Sequence, residues 1–265
     1  MKNFALLPFA WNRGATVLSA GRDAGCWLLV FGLMLLATSD SRAQLTTNAA
    51  SYTVNSAVPD GDASGLSDTR TLAATGISSI QAVVVRLDLS GGFNGDLYAY
   101  LTHGPGFAVL LNRPGRTATD ALGYPDSGFH VILDDAALNG DIHSYRLTTN
   151  PGGGVLSGNW APDGRNVDPA LAVDTSGRSA LLASLRGLDA NGSWTLFVAD
   201  AAPGGVATLN AWGLEIVGVP EPYPAAVLAC GAGVFLIFKR CRITPAGKKQ
   251  SPSAEFVGEE WQIAT

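Results

Sequence analysis

Residues 192–222 read GSWTLFVADAAPGGVATLNAWGLEIVGVPEP, and the fold class turns on the alternation they carry. In the first half Trp194, Leu196 and Val198 alternate with Ser193, Thr195, Phe197 and Ala199. In the second, Trp212, Leu214 and Ile216 alternate with Ala211, Gly213 and Glu215. A period of two sends successive side chains to opposite faces, so each half reads as a strand with one face on a core. Pro203, Gly204 and Gly205 supply turn chemistry between them, which predicts a β-hairpin with a loop longer than a tight two-residue turn.

The same period recurs upstream. ISSIQAVVVRLDLS (77–90) puts Val83, Val85, Leu87 and Leu89 on one face, and its β-branched run favours a strand. GGFNGDL turns the chain into DLYAYLTH, where Leu97, Ala99 and Leu101 oppose Tyr98 and Tyr100. GPG leads into FAVLLNR, and GFHVILDDAA alternates Phe129, Val131 and Leu133. The polar start QLTTNAASYTVNS and the acidic, turn-rich AVPDGDASGLSDTRTL give no strand signal. Residues 146–192 hold PGGG, APDG and NVDP, whose Gly and Pro content excludes long elements. Within that stretch SALLASLRGL fits a short helix or an extended pad under the sheet equally well. No helix is long enough for a βαβ crossover, so the expected fold is all-β: an antiparallel, jelly-roll-like β-sandwich of about eight strands.

Both ends read as handling segments. WLLVFGLMLLA (27–37) follows a stretch with Lys2, Arg13 and Arg22 and precedes Ser41-Arg42-Ala43. That order predicts a signal peptide over 1–43, cut between Ala43 and Gln44. The alternative, an uncleaved anchor, is disfavoured because the run is short for a spanning helix. At the other end YPAAVLACGAGVFLIF (223–238) is uncharged and is followed by Lys239, Arg240 and Arg242. At about 1.5 Å per residue it reaches roughly 24 Å, enough for a transmembrane helix where the bilayer thins or the flanking cations snorkel. Basic residues then stay cytoplasmic, so the domain at 44–218 faces out and 243–265 forms a disordered cytoplasmic tail.

Cysteine and charge sort with these segments. Cys26, Cys230 and Cys241 all lie outside 44–218, which excludes a disulfide framework for the domain. That domain has 8 Arg and no Lys against 15 Asp and 1 Glu, a net charge of −8. Such a surface repels phosphate backbones and argues against nucleic-acid binding.

Catalytic chemistry has little to stand on. The histidines are His103, His130 and His143, there is no G-x-S-x-G elbow, and His130 falls on the outer face of its strand. Asp60-Gly61-Asp62-Ala63-Ser64-Gly65 resembles the opening of an EF-hand loop, with Asp68 at the ninth position. Thr71 stands at the twelfth in place of the bidentate glutamate, which leaves an irregular Ca2+ site or an acidic turn as the two readings. PDGRNVDP (162–169) carries Asp163 and Arg165, which either recognise a sugar or hydrogen-bond the loop into a turn.

Two family resemblances rest on specific residues. VVVRLDLS followed by Gly95-Asp96-Leu97, the strand ending in Asp134-Asp135-Ala136, Gly192 and Trp194 in GSWTLFVAD, and Leu209, Trp212 and Leu214 in LNAWGLEI resemble, in order, the P/Homo B domain. That β-sandwich accompanies subtilisin-like proprotein convertases. The resemblance implies a non-catalytic sandwich, and it implies calcium at Asp134, Asp135 and Asp200. Gly204-Gly205-Val206-Ala207 stands where the family commonly has Gly-Asp-x-Gly.

Val219-Pro220-Glu221-Pro222, the apolar run and the cluster Lys239, Arg240 and Arg242 resemble a PEP-CTERM sorting signal over 219–242, although the chain continues past Arg242. This implies processing by an exosortase at the inner membrane and delivery to the cell surface or extracellular matrix of a Gram-negative bacterium. The functional expectation is a structural or adhesive matrix component. The alternatives are a module serving a separately encoded subtilisin-like protease and a binder of extracellular polysaccharide.

Overall fold

The computed structural model describes residues 44–220. The signal peptide at 1–43, Glu221 and Pro222, the transmembrane helix at 223–238, its basic cluster and the tail at 243–265 lie outside the described residues. Among the described residues, no helix is long and apolar enough to cross a membrane.

Nine strands form two sheets. They are β1 (Thr46–Ala57), β2 (Asp62–Leu72), β3 (Ile77–Gly91), β4 (Leu97–His103), β5 (Gly106–Asn112), β6 (Phe129–Leu133), β7 (Leu156–Trp160), β8 (Gly192–Asp200) and β9 (Ala207–Pro220). One sheet has the order β1-β9-β3-β6-β7 and the other β2-β8-β4-β5. The alternating rows predicted for β3, β4, β6, β8 and β9 are the ones that turn inward: Val85, Leu97, Phe129, Trp194, Leu196, Val198 and Ile216 are each 0% exposed and join one core. At about 2 kcal/mol per buried large apolar side chain, these rows hold the two sheets face to face.

The predicted hairpin does not form. β8 lies between β2 and β4 in one sheet, and β9 lies between β1 and β3 in the other. The six residues between them step across the core, so Trp194 and Trp212 line opposite walls. Alternation says that each strand has a buried face; it does not say that consecutive strands share a sheet. Both strands already have hydrogen-bonding neighbours on both sides, and no slot remains in which they could pair with each other.

Crossing is the rule in this chain. Only β4–β5, a hairpin closed at Gly104 with φ +52°, and β6–β7 join neighbours in one sheet. The β6–β7 pair is parallel, against the antiparallel expectation. A connection of more than twenty residues, including a 3-10 turn at Ile142–Leu147, allows it.

The segments without a strand signal supply three edge strands, β1, β2 and β7, the last inside the Gly- and Pro-rich stretch 146–192. β1 alternates half-buried and exposed residues while pairing β9 along most of its length. β2 pairs β8 through a register shift between Asp62 and Leu66. Gly65 sits in that shift at φ +57°, where a Cβ would approach Val198 O at 2.5 Å, so the bulge itself requires a glycine there. β1 and β2 alternate partly covered and exposed positions, which is why small polar residues suffice there. SALLASLRGL resolves as a 3-10 turn at Leu182–Leu185, with Leu182 and Leu185 buried under the sheets.

Val219 and Pro220, assigned to the sorting signal, continue β9 and pair with Ser79 and Ile77. The folded domain therefore runs two residues past the boundary at 218.

One polar bond ties the two walls. The Trp212 indole N–H on β9 donates to the Asp68 carboxylate on β2 at 2.6 Å, and Arg70 Nε donates to the same oxygen at 2.8 Å. Burial pushes the Asp68 carboxyl up, and these two donors outweigh it, so its pKa lies below the usual carboxylate range. Trp212→Phe keeps an aromatic wall and removes one donor from a half-buried carboxylate. The expected loss is about 2 kcal/mol in urea unfolding, whereas Thr195→Ala on the outer face, which gives up a hydroxyl contact with Thr69, should cost no more than about 1 kcal/mol.

Candidate functional site

Three crossings meet at one end of the sandwich: β1 to β2, β3 to β4 and β8 to β9. The register brings them together, because Asp62 of β2 and Leu97 of β4 both pair Asp200 of β8. The carboxylate of Asp60 accepts from Gly204 N at 3.1 Å, and Asp62 accepts from Ser64 N at 2.8 Å. Arg113, just after β5, donates from its guanidinium to Gly95 O at 2.8 Å and to Asp96 Oδ1 at 3.0 Å. Its backbone is in the left-handed region at φ +51°, a conformation that a long side chain adopts only where its surroundings hold it.

Asp200 is fully buried here. Its Oδ1 accepts from Ala202 N at 3.3 Å, and its Oδ2 has no hydrogen-bond partner. Burial pushes its pKa up to about 6; the Ala202 N–H pulls it down, and the charges of Asp96 and Asp60 raise it by more than Arg113 lowers it. Arg113 is thus the cation that faces this acidic end.

The structure does not gather the six aspartates proposed as metal ligands. Asp60, Asp62 and Asp200 share the crossing end. Asp68 is engaged by Trp212 and Arg70, Asp134 accepts from Ala136 N at 2.9 Å, and Asp135 accepts from Leu182 N and Ala183 N at 3.1 and 2.7 Å, capping the 3-10 turn. Among the described residues, no group of three or more His, Cys, Asp or Glu is placed to hold a metal ion.

Asp163 and Arg165 are also placed differently from a ligand-facing pair. They are 0% and 3% exposed and sit inside a charged network. Asp163 accepts from His143 Nδ1 at 2.8 Å, Asn112 N at 3.2 Å and Arg165 N at 3.2 Å, while Arg165 Nη1 reaches Asp141 at 2.8 Å. Ionic groups enter an interior only when paired in this way. The turn alternative for PDGRNVDP is the one the fold adopts, and the network extends it.

His143 is fully buried, with Nδ1 on Asp163 and Nε2 on Arg116 O at 2.9 Å. Both nitrogens face acceptors, so the doubly protonated ring satisfies both. Burial favours the neutral ring, but the Asp163 hydrogen bond and charge and the Arg116 carbonyl outweigh it, and the pKa is raised. His103 stacks on Trp194 with centroids 4.0 Å apart, and its nitrogens lie 3.0 and 2.6 Å from Ser193 O and Asp189 O. His130 is exposed beside Asp88 at 3.3 Å, as its outer-face position predicts.

A further buried acid, missed in the sequence, anchors the loop before β6. Asp126 accepts from Tyr145 Oη, Arg146 Nε and Nη2 and Gly153 N, all within 2.8 Å.

Beside the crossing end, the outer face of β4 and β8 floors a cleft of about 660 Å3. Tyr98, Tyr100 and Phe197 form its floor, and residues 166–170 form a wall. Tyr100 stacks on Phe197 at 4.7 Å and 16°, and Tyr98 meets Phe197 edge-on at 6.3 Å. The wall is prefixed from behind: Asn112 Nδ2 donates to Arg165 O and Val167 O at 2.9 and 3.0 Å, and Arg116 Nη1 donates to Pro169 O at 2.5 Å. Sequence reading found the outward Tyr98 and Tyr100 but could not place the 166–170 loop beside them.

No family model and no curated protein matches the chain. Among solved structures it is similar to the Aeromonas sobria serine protease, alone and in its complex with a chaperone. Identity is 18% with the complex and 17% with the protease alone, over 71% and 70% of this chain, with TM-scores of 0.38 and 0.37. The match spans 29% of each of those chains, so activity and partners do not transfer.

The crossing end predicts substitutions of opposite sign. Arg113→Ala leaves Asp96 buried without its cation and should cost about 3–5 kcal/mol in chemical unfolding. Asp200→Asn removes a group whose folded pKa is raised. The native carboxyl contributes fully below its unfolded value of about 4 and loses that contribution as pH rises through about 6. The variant should therefore melt higher than the parent at pH 7, with the gain vanishing near pH 4. His143 also has a raised folded pKa, so its contribution is full below about pH 6.5 and is lost as pH climbs through the folded value. His143→Gln should narrow its deficit relative to the parent between pH 6 and pH 9, read by thermal melts.

Proposed function

We propose that this chain is an exported, surface-sorted, non-catalytic β-sandwich protein that serves as a structural or adhesive component of the extracellular matrix of a Gram-negative bacterium. The observation that carries the non-catalytic reading is the engagement of the two buried histidines and of Asp126 and Asp163. His143 and His103 have both ring nitrogens on acceptors, and Asp126 and Asp163 each hold several donors. Groups committed in this way orient loops and are not poised to exchange protons with a substrate. The address rests on the sequence: the leader ending at Ala43, Val219-Pro220-Glu221-Pro222, the apolar run and the cluster at Lys239, Arg240 and Arg242. In this reading an exosortase at the inner membrane is the processing partner.

A second reading is a module acting with a separately encoded subtilisin-like protease. It draws support from Asp96 and Leu97, which belong to the P/Homo B resemblance: Leu97 pairs Asp200 at the crossing end, and the charge of Asp96 acts on Asp200 there. Such a partner would co-purify with the chain from its host.

Mass spectrometry of the protein isolated from its native host tests the main reading. A mature amino terminus at Gln44, a carboxy terminus trimmed after the Val219–Pro222 motif and recovery in the surface fraction are the expected results. An intact chain from Met1 to Thr265 in the cytosol would falsify the proposal.

A further inference from the structure

We infer that the cleft on the outer face of β4 and β8 binds a neutral polysaccharide, with Tyr98, Tyr100, Phe197 and Asn166 as its contacts. This deepens the matrix reading and rests on it for the class of polymer the protein meets.

The chemistry of the lining selects the ligand. Three half-buried aromatic rings offer apolar surface suited to the C–H faces of sugar rings. Among the described residues, the hydroxyls of Tyr98 and Tyr100 and the side-chain amide of Asn166 make no hydrogen bond, so donors and acceptors for sugar hydroxyls stand beside those rings. A volume of about 660 Å3 is in the range of built ligand sites, roughly 300–1,000 Å3, and an apolar floor with a few polar groups is their usual make-up. The wall at 166–170 is already held by Asn112 and Arg116, and Asp168 Oδ1 accepts from Ala170 N at 2.8 Å, so little ordering remains to oppose binding.

Charge and topology exclude the competing polymers. Arg113, the cation that lines the cleft, is paired with Asp96, and the domain carries a net charge of −8, so an anionic chain finds no free counter-charge and a repulsive field. A peptide adding as a strand needs an open sheet edge. β8 lies between β2 and β4, and β4 between β8 and β5, so the backbone of the floor is already paired.

Affinity electrophoresis of the purified full-length protein in gels cast with hydroxyethylcellulose, dextran, xylan or mannan tests the inference, with anionic alginate as the comparison. The parent should be retarded by at least one neutral polymer and not by alginate. Tyr100→Ala and Asn166→Ala should each weaken that retardation about tenfold, equivalent to about 1.4 kcal/mol. Asn166 is exposed, so its variant melts like the parent and reports on binding alone. Retardation by alginate only, by no polymer, or by a neutral polymer equally in parent and Asn166→Ala overturns the inference. The assay is independent of export, so failed sorting and failed binding remain distinguishable.

Discussion

Two apolar rows on opposite walls of one core hold this molecule together: Trp194, Leu196 and Val198 on β8, and Trp212, Leu214 and Ile216 on β9. The two rows face each other across that core because β8 and β9, consecutive in the chain, lie in different sheets. The chain must therefore step across the core repeatedly, and the steps concentrate turns, glycines and carboxylates at the sandwich ends. The ion pair of Arg113 with Asp96 and the raised pKa of Asp200 lie where three crossings pack into one place.

A domain without cysteine must stabilise its long loops by other means. Here buried ionic networks do so. Asp126 with Arg146 and Tyr145 fixes the loop before β6, and Asp163 with His143 and Arg165 fixes the loop after β7. Each carboxylate accepts several donors, which is the condition under which an interior charge is tolerated. The second network also has a functional consequence, since it sets the wall of the aromatic cleft from the far side. Fold stability and a candidate binding surface thus depend on the same buried groups.

Strand identity was legible wherever one face is buried, because the period of two survives in β3, β4, β6, β8 and β9. The edge strands β1 and β2 were not legible: with half a face to bury, threonine, serine and asparagine serve there as well as valine. The candidate site was only partly legible. Tyr98 and Tyr100 stand out as outward aromatics, whereas the aspartates of the acidic loop resemble metal ligands by spacing and are engaged individually by backbone amides, Arg70 and Trp212.

By itself the sequence determined the β period, the inward rows, the acidic and cysteine-free character of the domain, and the loops at which the chain turns; these are local properties of side chains and their spacing. The tertiary structure decided which strands share a sheet, that β6 and β7 run parallel, and which acids meet. Pairing depends on hydrogen-bonding slots and charge neutralisation between residues more than a hundred positions apart, such as Asp68 and Trp212, and no local pattern records those distances.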